Sequence, residues 1–350
     1  MSENDSEVIV EVRGRYGCLT LNRPSGLNAL TLGMVQTLHR QLDDWAGDDA
    51  IDAVLIQGAG EKAFCAGGDI RALYDSYHNG DTLHRVFFEE EYALDQAIHD
   101  YPKPVIALMN GFVMGGGMGL AQGASVRIVS EKARLAMPET GIGYFPDVGA
   151  TYFLGRLPGR LGEYLGLTGK QLGPADAIHA GLADLYLPPE HVDGFVDTLV
   201  DIDGRTDDAL RAGLAMMTGE PGEAGLERLR PAIDEHFAKE SLRAIRDSLE
   251  AEQRPQYREW AAETLKAIEG RSPLGMAVAL ELVRRGRRLT LSEAFALELK
   301  LDYQWFDHGD MVEGIRALIV DKDKSPRWQP ATIDDLEPKH VSVFFDDAGR

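Results

Sequence analysis

Three consecutive glycines, Gly115, Gly116 and Gly117 in VMGGGMGLAQ (113–122), stand at the mouth of what otherwise reads as a helix. Glycine weakens a helix by about 1 kcal/mol relative to alanine, so three together mean that the backbone itself must come close to something. A second glycine turn, in KAFCAGGDIR (62–71), also follows an apolar run by a few residues. Two such turns facing one another would offer a pair of N–H donors from separate loops. That arrangement is an oxyanion hole, with donors fixed where negative charge develops on a carbonyl oxygen and worth about 3–4 kcal/mol each. The later turn also opens a helix, whose positive end adds to the effect. Two other readings stay open: glycines that only permit close packing of strand and helix, and a nucleotide loop, although neither stretch spells GxGxxG or GxxxxGK[ST].

MPETGIGYFPDVGAT (137–151) is a rigid loop by its proline, glycine and aromatic content, and it holds two carboxylates, Glu139 and Asp147, eight residues apart. Met137, Ile142 and Phe145 beside them would strip water from at least one and raise its pKa toward the working pH, which makes a carboxylate a usable base or acid. The competing reading makes Asp147 a helix N-cap for VGATYFLGRL and Glu139 a solvated turn residue. Cys65 adjoins the first glycine turn, but no histidine is close in sequence, so a packing thiol is expected rather than a nucleophile. Lys62 and Arg71 flank that turn and suit either solvent or the phosphates of an anionic ligand. Arg284, Arg285, Arg287 and Arg288 form the densest basic cluster, at an expected helix end where the helix dipole is explanation enough.

These groups need a frame. VIVEVR (8–13) and GCLTLN (17–22) read as a hairpin around Gly14 to Tyr16, and Met34, Val35, Leu38, Leu42 and Trp45 recur at helical spacing behind a Thr31 N-cap. AVLIQG (53–58), PVIALMNG (104–111) and SVRIVS (125–130) are apolar runs too short for helices, hence buried and parallel strands. The first ~200 residues thus read as an α/β unit with its chemistry in the loops at strand ends. Beyond the acidic stretch LVDIDGRTDD (199–208) only helical patterns remain, so the expected division is a core over residues 1–200 and an α-helical region over 201–350.

The 350-residue chain is 44% hydrophobic, enough for a sizeable core, and carries a formal charge of −21. Such a charge excludes a phosphate backbone as partner and obliges any small anionic ligand to find local cations and N–H donors. MSENDSEVIV has neither the basic start nor the apolar run of a secretory signal, and no apolar stretch approaches a membrane span, so a cytoplasmic protein is expected. Two cysteines, Cys18 and Cys65, and nine histidines without HxxxH or HxxEH spacing give no basis for a metal site.

NRPSGLNAL, KAFCAGGDIR, GFVMGGGMGL, MPETGIGYFPDVGATYFL and GDMVEGIRALIVDKDKSPRW, spread over residues 22–328, resemble the crotonase (enoyl-CoA hydratase/isomerase) superfamily, and most closely its 3-hydroxyisobutyryl-CoA hydrolase branch. The resemblance implies an α/β fold with a ββα spiral core and an α-helical C-terminal extension, binding an acyl-CoA thioester. Gly68 and Gly116 become the two oxyanion donors, Glu139 and Asp147 the catalytic and substrate-contacting carboxylates, and Glu91, in FFEEEYAL, a substrate-contacting acid. Without the resemblance, Glu89, Glu90 and Glu91 read as a solvated helix face. Hydratases of this type carry a second glutamate shortly after the glycine triplet, where this chain has Gly119. With that carboxylate missing, the expected chemistry moves from adding water across C=C to attack on the thioester carbonyl. The alternatives are an enoyl-CoA hydratase or isomerase, and a noncatalytic acyl-CoA-binding protein. No cofactor is expected beyond the CoA of the substrate, and no nucleic acid or membrane partner; a homo-oligomer is left open.

Overall fold

The computed structural model describes residues 6–346. Its strands form two sheets by a repeating step. β1 (Val8–Arg13) and β2 (Tyr16–Leu21) make the expected antiparallel hairpin, and β2 then pairs in parallel with β3 (Ala53–Gly58). β3, β5 (Val105–Met109), β7 (Val126–Ser130) and β9 (Leu185–Leu187) continue the same six-stranded sheet in parallel, in the order β1-β2-β3-β5-β7-β9. β4 (Ala63–Cys65), β6 (Phe112–Met114) and β8 (Arg134–Ala136) form a second, three-stranded parallel sheet. From β3 to β8 the chain therefore gives one strand to the large sheet and the next to the small one, three times over, the ββα spiral that the sequence motifs imply.

The expected helix lies at Leu32–Ala46, and the Thr31 side chain accepts from the Met34 amide as its N-cap. One face of the large sheet presents alternate residues of four strands: Tyr16 and Cys18, Ala53 and Leu55, Ile106 and Leu108, Val126 and Ile128. Phe195, Leu199, Leu210 and Leu214 cover that face, because a parallel sheet that is apolar on both sides needs a layer on each. After β9 every further element among the described residues is helical. The longest, Leu291–His308, starts at a capping box between Thr290 and Glu293.

The chain separates into two compact units, each assembled from three stretches rather than divided at one point in sequence. One comprises the stretch ending at Asp69, Glu89–Ala136 and Gln171–Glu227; the other comprises Ile70–Phe88, Met137–Lys170 and the stretch from Arg228 onward. Both sheets belong to the first unit.

Candidate active site

In the first unit the two glycine turns meet. Leu30 and Gly68 form an isolated parallel bridge in which the Leu30 amide donates to the Gly67 carbonyl at 2.8 Å and the Asp69 amide to the Leu30 carbonyl at 2.9 Å. That pairing leaves the Gly68 amide outside its bonds. Gly116 begins the Gly116–Gly123 helix, so its N–H is one of the donors that a helix cannot satisfy itself. Gly115 precedes it with φ +50° and ψ −123°, a conformation that calls for glycine. A Cβ on Gly67 would lie 3.3 Å from the Met114 carbonyl oxygen and 3.6 Å from the Gly116 nitrogen, which sets the first turn against the start of that helix.

Glu91 belongs to the same constellation. Its side chain is buried, and a Cβ on Gly116 would fall 2.2 Å from its Oε1. The solvated-face reading therefore holds for Glu89, which is exposed, and fails for Glu91, because the helical turn directs position 91 inward beside Tyr92 and Asp95. Cys65 is fully buried, and burial pushes its thiol up to about 12, so it is a packing thiol as expected. Lys62 is exposed, and Gly119 lies buried within the Gly116–Gly123 helix.

In the second unit Glu139 and Asp147 come together. Both are buried, at 6% and 5% exposure, which overturns the reading of Glu139 as a solvated turn residue. Met137, Tyr144 and Phe145 are buried alongside, and that apolar packing is what excludes water. Asp147 is not a helix N-cap either: Gly149 holds that position before Ala150–Gly155, and the Asp147 carbonyl accepts from the Ala150 amide at 2.8 Å. Burial raises the Glu139 pKa well above the usual carboxylate range, and the charge of Asp147 adds to the rise. Arg271 opposes it. That guanidinium donates to the Pro138 carbonyl at 3.2 Å and to Thr140 Oγ1 at 2.8 Å, and burial pushes its own pKa down to about 10. Glu139 Oε2 has no hydrogen-bond partner although it is buried. An unpartnered buried carboxylate oxygen with raised proton affinity can act as a base or attack an electrophile.

Sequence reasoning missed three members of this cluster. The Tyr144 hydroxyl donates to Asp302 Oδ1 in a short bond and lies 3.4 Å from Asp147 Oδ2. Glu298, one helical turn before Asp302, accepts from the Gly149 amide at 2.7 Å and the Thr151 amide at 2.8 Å. Burial, helped by the charge of Asp147, brings the Glu298 pKa up to about 8. A signal was present in FALELKLDYQW, where carboxylates four residues apart share a helix face with Leu301 and Trp305. Among the described residues no group of three or more His, Cys, Asp or Glu is arranged to hold a metal ion.

Arg71 and three arginines of the basic cluster have protein partners. Arg71 pairs with Asp75 at 3.1 Å on an exposed face. Arg284 donates to the carbonyls of Lys239 and Glu240, Arg285 pairs with Glu281, and Arg287 reaches the buried Glu163, so these three arginines of the basic cluster are already occupied.

The enoyl-CoA hydratase/isomerase family model matches residues 16–345. The 3-hydroxyisobutyryl-CoA hydrolase, mitochondrial, of Danio rerio is 38% identical over 98% of this chain and 90% of its own length. The Homo sapiens protein of the same name is 36% identical over 98% and 89%. Among solved structures, a carnitinyl-CoA dehydratase from Mycobacterium thermoresistibile superposes with a TM-score of 0.90 at 39% identity, covering 98% of this chain and 97% of that one. An enoyl-CoA hydratase from Rhodobacter sphaeroides does so with a TM-score of 0.89 at 40% identity, covering 98% of each. Together with the two-sheet spiral and the paired glycine turns, these matches make the chain a member of the enoyl-CoA hydratase/isomerase family.

Proposed function

We propose that this protein hydrolyses a short branched β-hydroxyacyl-CoA thioester, 3-hydroxyisobutyryl-CoA, to the free acid and CoA. The observation that carries the reading is the Glu139/Asp147 pair, buried together and with the proton affinity of Glu139 raised by burial, in a chain that has Gly119 where a hydratase would have its second glutamate. Near-full-length identity to proteins named as 3-hydroxyisobutyryl-CoA hydrolases supports it.

In this mechanism the Gly68 and Gly116 amides receive the thioester oxygen as it gains charge. Glu139 either attacks the carbonyl carbon, giving a mixed anhydride that water then cleaves, or takes a proton from the attacking water. The C–S bond breaks with its electron pair on sulfur, and Asp147 orients the substrate hydroxyl or delivers the proton that the thiolate needs. Glu91 contacts the acyl portion beside Gly116. Lys62 and Arg71 are the proposed contacts of the CoA phosphates, Arg71 by exchanging its exposed bond to Asp75. No cofactor enters apart from the CoA of the substrate.

Free-thiol release from 3-hydroxyisobutyryl-CoA and a panel of β-hydroxyacyl-CoAs tests this reading. No release by folded protein across the panel would overturn it. The likeness to an enoyl-CoA hydratase structure gives the second reading its weight. Loss of the crotonyl-CoA double-bond absorbance at a rate matching the best hydrolysis would favour that reading instead; binding without any product would favour an acyl-CoA-binding protein.

Cytoplasmic location and assembly into a homo-oligomer belong to the same proposal. No helix among the described residues is long and apolar enough to cross a membrane, and the named relatives are mitochondrial, so fractionation decides the compartment and sedimentation the assembly.

A further inference from the structure

One helix, Leu291–His308, reaches the Asp147 turn from two sides. Asp302 accepts the Tyr144 hydroxyl, which lies 3.4 Å from Asp147 Oδ2, and Glu298 accepts the amides of Gly149 and Thr151 just beyond Asp147. Glu298, Asp302, Tyr144 and Asp147 are all buried, so these bonds do not compete with bulk water. Glu139, from the preceding turn, and Glu298 are both coupled electrostatically to Asp147, and Arg271 bears on Glu139.

A phenol is both donor and acceptor, whereas an ionised carboxylate only accepts. With the phenolic O–H donated to Asp302, the Tyr144 oxygen can accept from a protonated Asp147. Once Asp147 has lost its proton, the same hydroxyl can turn and donate to it. Tyr144 thus follows Asp147 through both protonation states, and Asp302 keeps the hydroxyl in reach.

We propose that Tyr144, held by Asp302, is the positioning residue for Asp147, with Glu298 fixing the backbone on the far side of the same turn. The inference rests on the thioester-hydrolase reading, in its form where Asp147 delivers the proton to the departing sulfur and is left ionised, while Glu139 holds the proton taken from water. No further reagent is needed.

Tyr144→Phe is the sharp test, because the ring keeps its packing on Phe145 and Trp305, at centroid distances of 4.4 Å and 6.0 Å, and loses only the hydroxyl. Its kcat should fall about 10- to 100-fold with KM within about threefold, and one limb of the kcat pH profile should move. Asp302→Asn should move the same limb. A carboxyl carbon-13 NMR titration of Asp147 gives a readout independent of turnover, and its midpoint should shift by about one unit in Tyr144→Phe. Active wild type beside a Tyr144→Phe variant with the same kcat, pH profile and Asp147 midpoint overturns the inference and spares the hydrolase reading. A lower melting temperature with an unmoved pH limb and midpoint also overturns it, since packing alone predicts that result. Wild type that releases no CoA overturns the hydrolase reading, and the Asp147 titration then decides the inference by itself.

Discussion

A Cβ added to Gly116 would stand 2.2 Å from Glu91 Oε1, closer than real atoms approach, whereas its next neighbour, Leu30 Cδ1, would be 3.2 Å away. The backbone of the proposed oxyanion donor and the Glu91 carboxylate therefore occupy adjoining space with no allowance for a methyl group.

Gly116→Ala should fold, because the obstructing oxygen is the far end of a flexible side chain. Thermal stability is expected to drop by about 1–3 kcal/mol as Glu91 gives way. Turnover should suffer more, by about 100-fold, through displacement of the donor and of Glu91 together. Gly117→Ala meets the Cys65 carbonyl oxygen at 2.3 Å, which is backbone and cannot yield. Comparing melting temperatures and kcat for the two variants checks the distinction: stability should fall further for Gly117→Ala.

Glu139→Gln should lose at least ~100-fold in kcat while CoA affinity changes little, because an amide is neither a base nor a nucleophile. Measuring kcat alongside CoA binding separates the roles. A variant with wild-type kcat would remove Glu139 from the mechanism.

Glu298 predicts a pH dependence of stability. Its folded pKa of about 8 lies above the ordinary glutamate value of 4.5, so between those two values the folded state holds a proton that the unfolded chain has lost. Stability from this group is accordingly fully present below pH 4.5 and is lost as pH rises from there through about 8. Glu298→Gln lacks this decline. Denaturant titrations at pH 5 and pH 8 should show the wild-type advantage over Glu298→Gln shrinking at the higher pH; a widening gap would contradict the raised pKa.

Arg287 tests whether the basic cluster is structural. Its guanidinium lies 3.1 Å from Glu163, whose side chain is fully buried and also paired to Arg160 at 2.8 Å. Arg287→Ala should cost about 2 kcal/mol of stability, since a buried carboxylate loses one of two charged partners. KM for the CoA substrate should be unchanged. A several-fold rise in KM would instead place a CoA phosphate at that cluster.

Five strands of the large sheet were legible because they are runs of five or six residues, and Ala53–Gly58 lies where AVLIQG reads as a strand, whereas the three-residue β9 went unread. β4, β6 and β8 were hidden: three residues each, embedded in the glycine-rich motifs, they are too short for any periodicity to show. The spiral repeat could not be read from periodicity for the same reason, since its second strand leaves almost no pattern, and it was expected only through the family resemblance of the motifs. Glu139 and Asp147 stood out through their apolar neighbours. Glu91 did not, since its neighbours Glu89 and Glu90 make the segment look solvated and only the helical turn separates them. Glu298 and Asp302 escaped notice because their partners lie 149 and 158 residues earlier, at Gly149 and Tyr144.

That separation bears on how the protein is made. Gly68, Glu91, Gly116, Glu139 and Asp147 all fall within the first 150 positions, yet the turn carrying Asp147 is pinned by side chains near position 300. A ribosome adding about 5–20 residues per second needs about eight to thirty seconds to cover that interval. During it the nascent chain owns its chemistry without the means to aim it. A truncation ending before Leu291 would stay permanently in that condition, with every proposed catalytic residue present and the Asp147 turn never fastened.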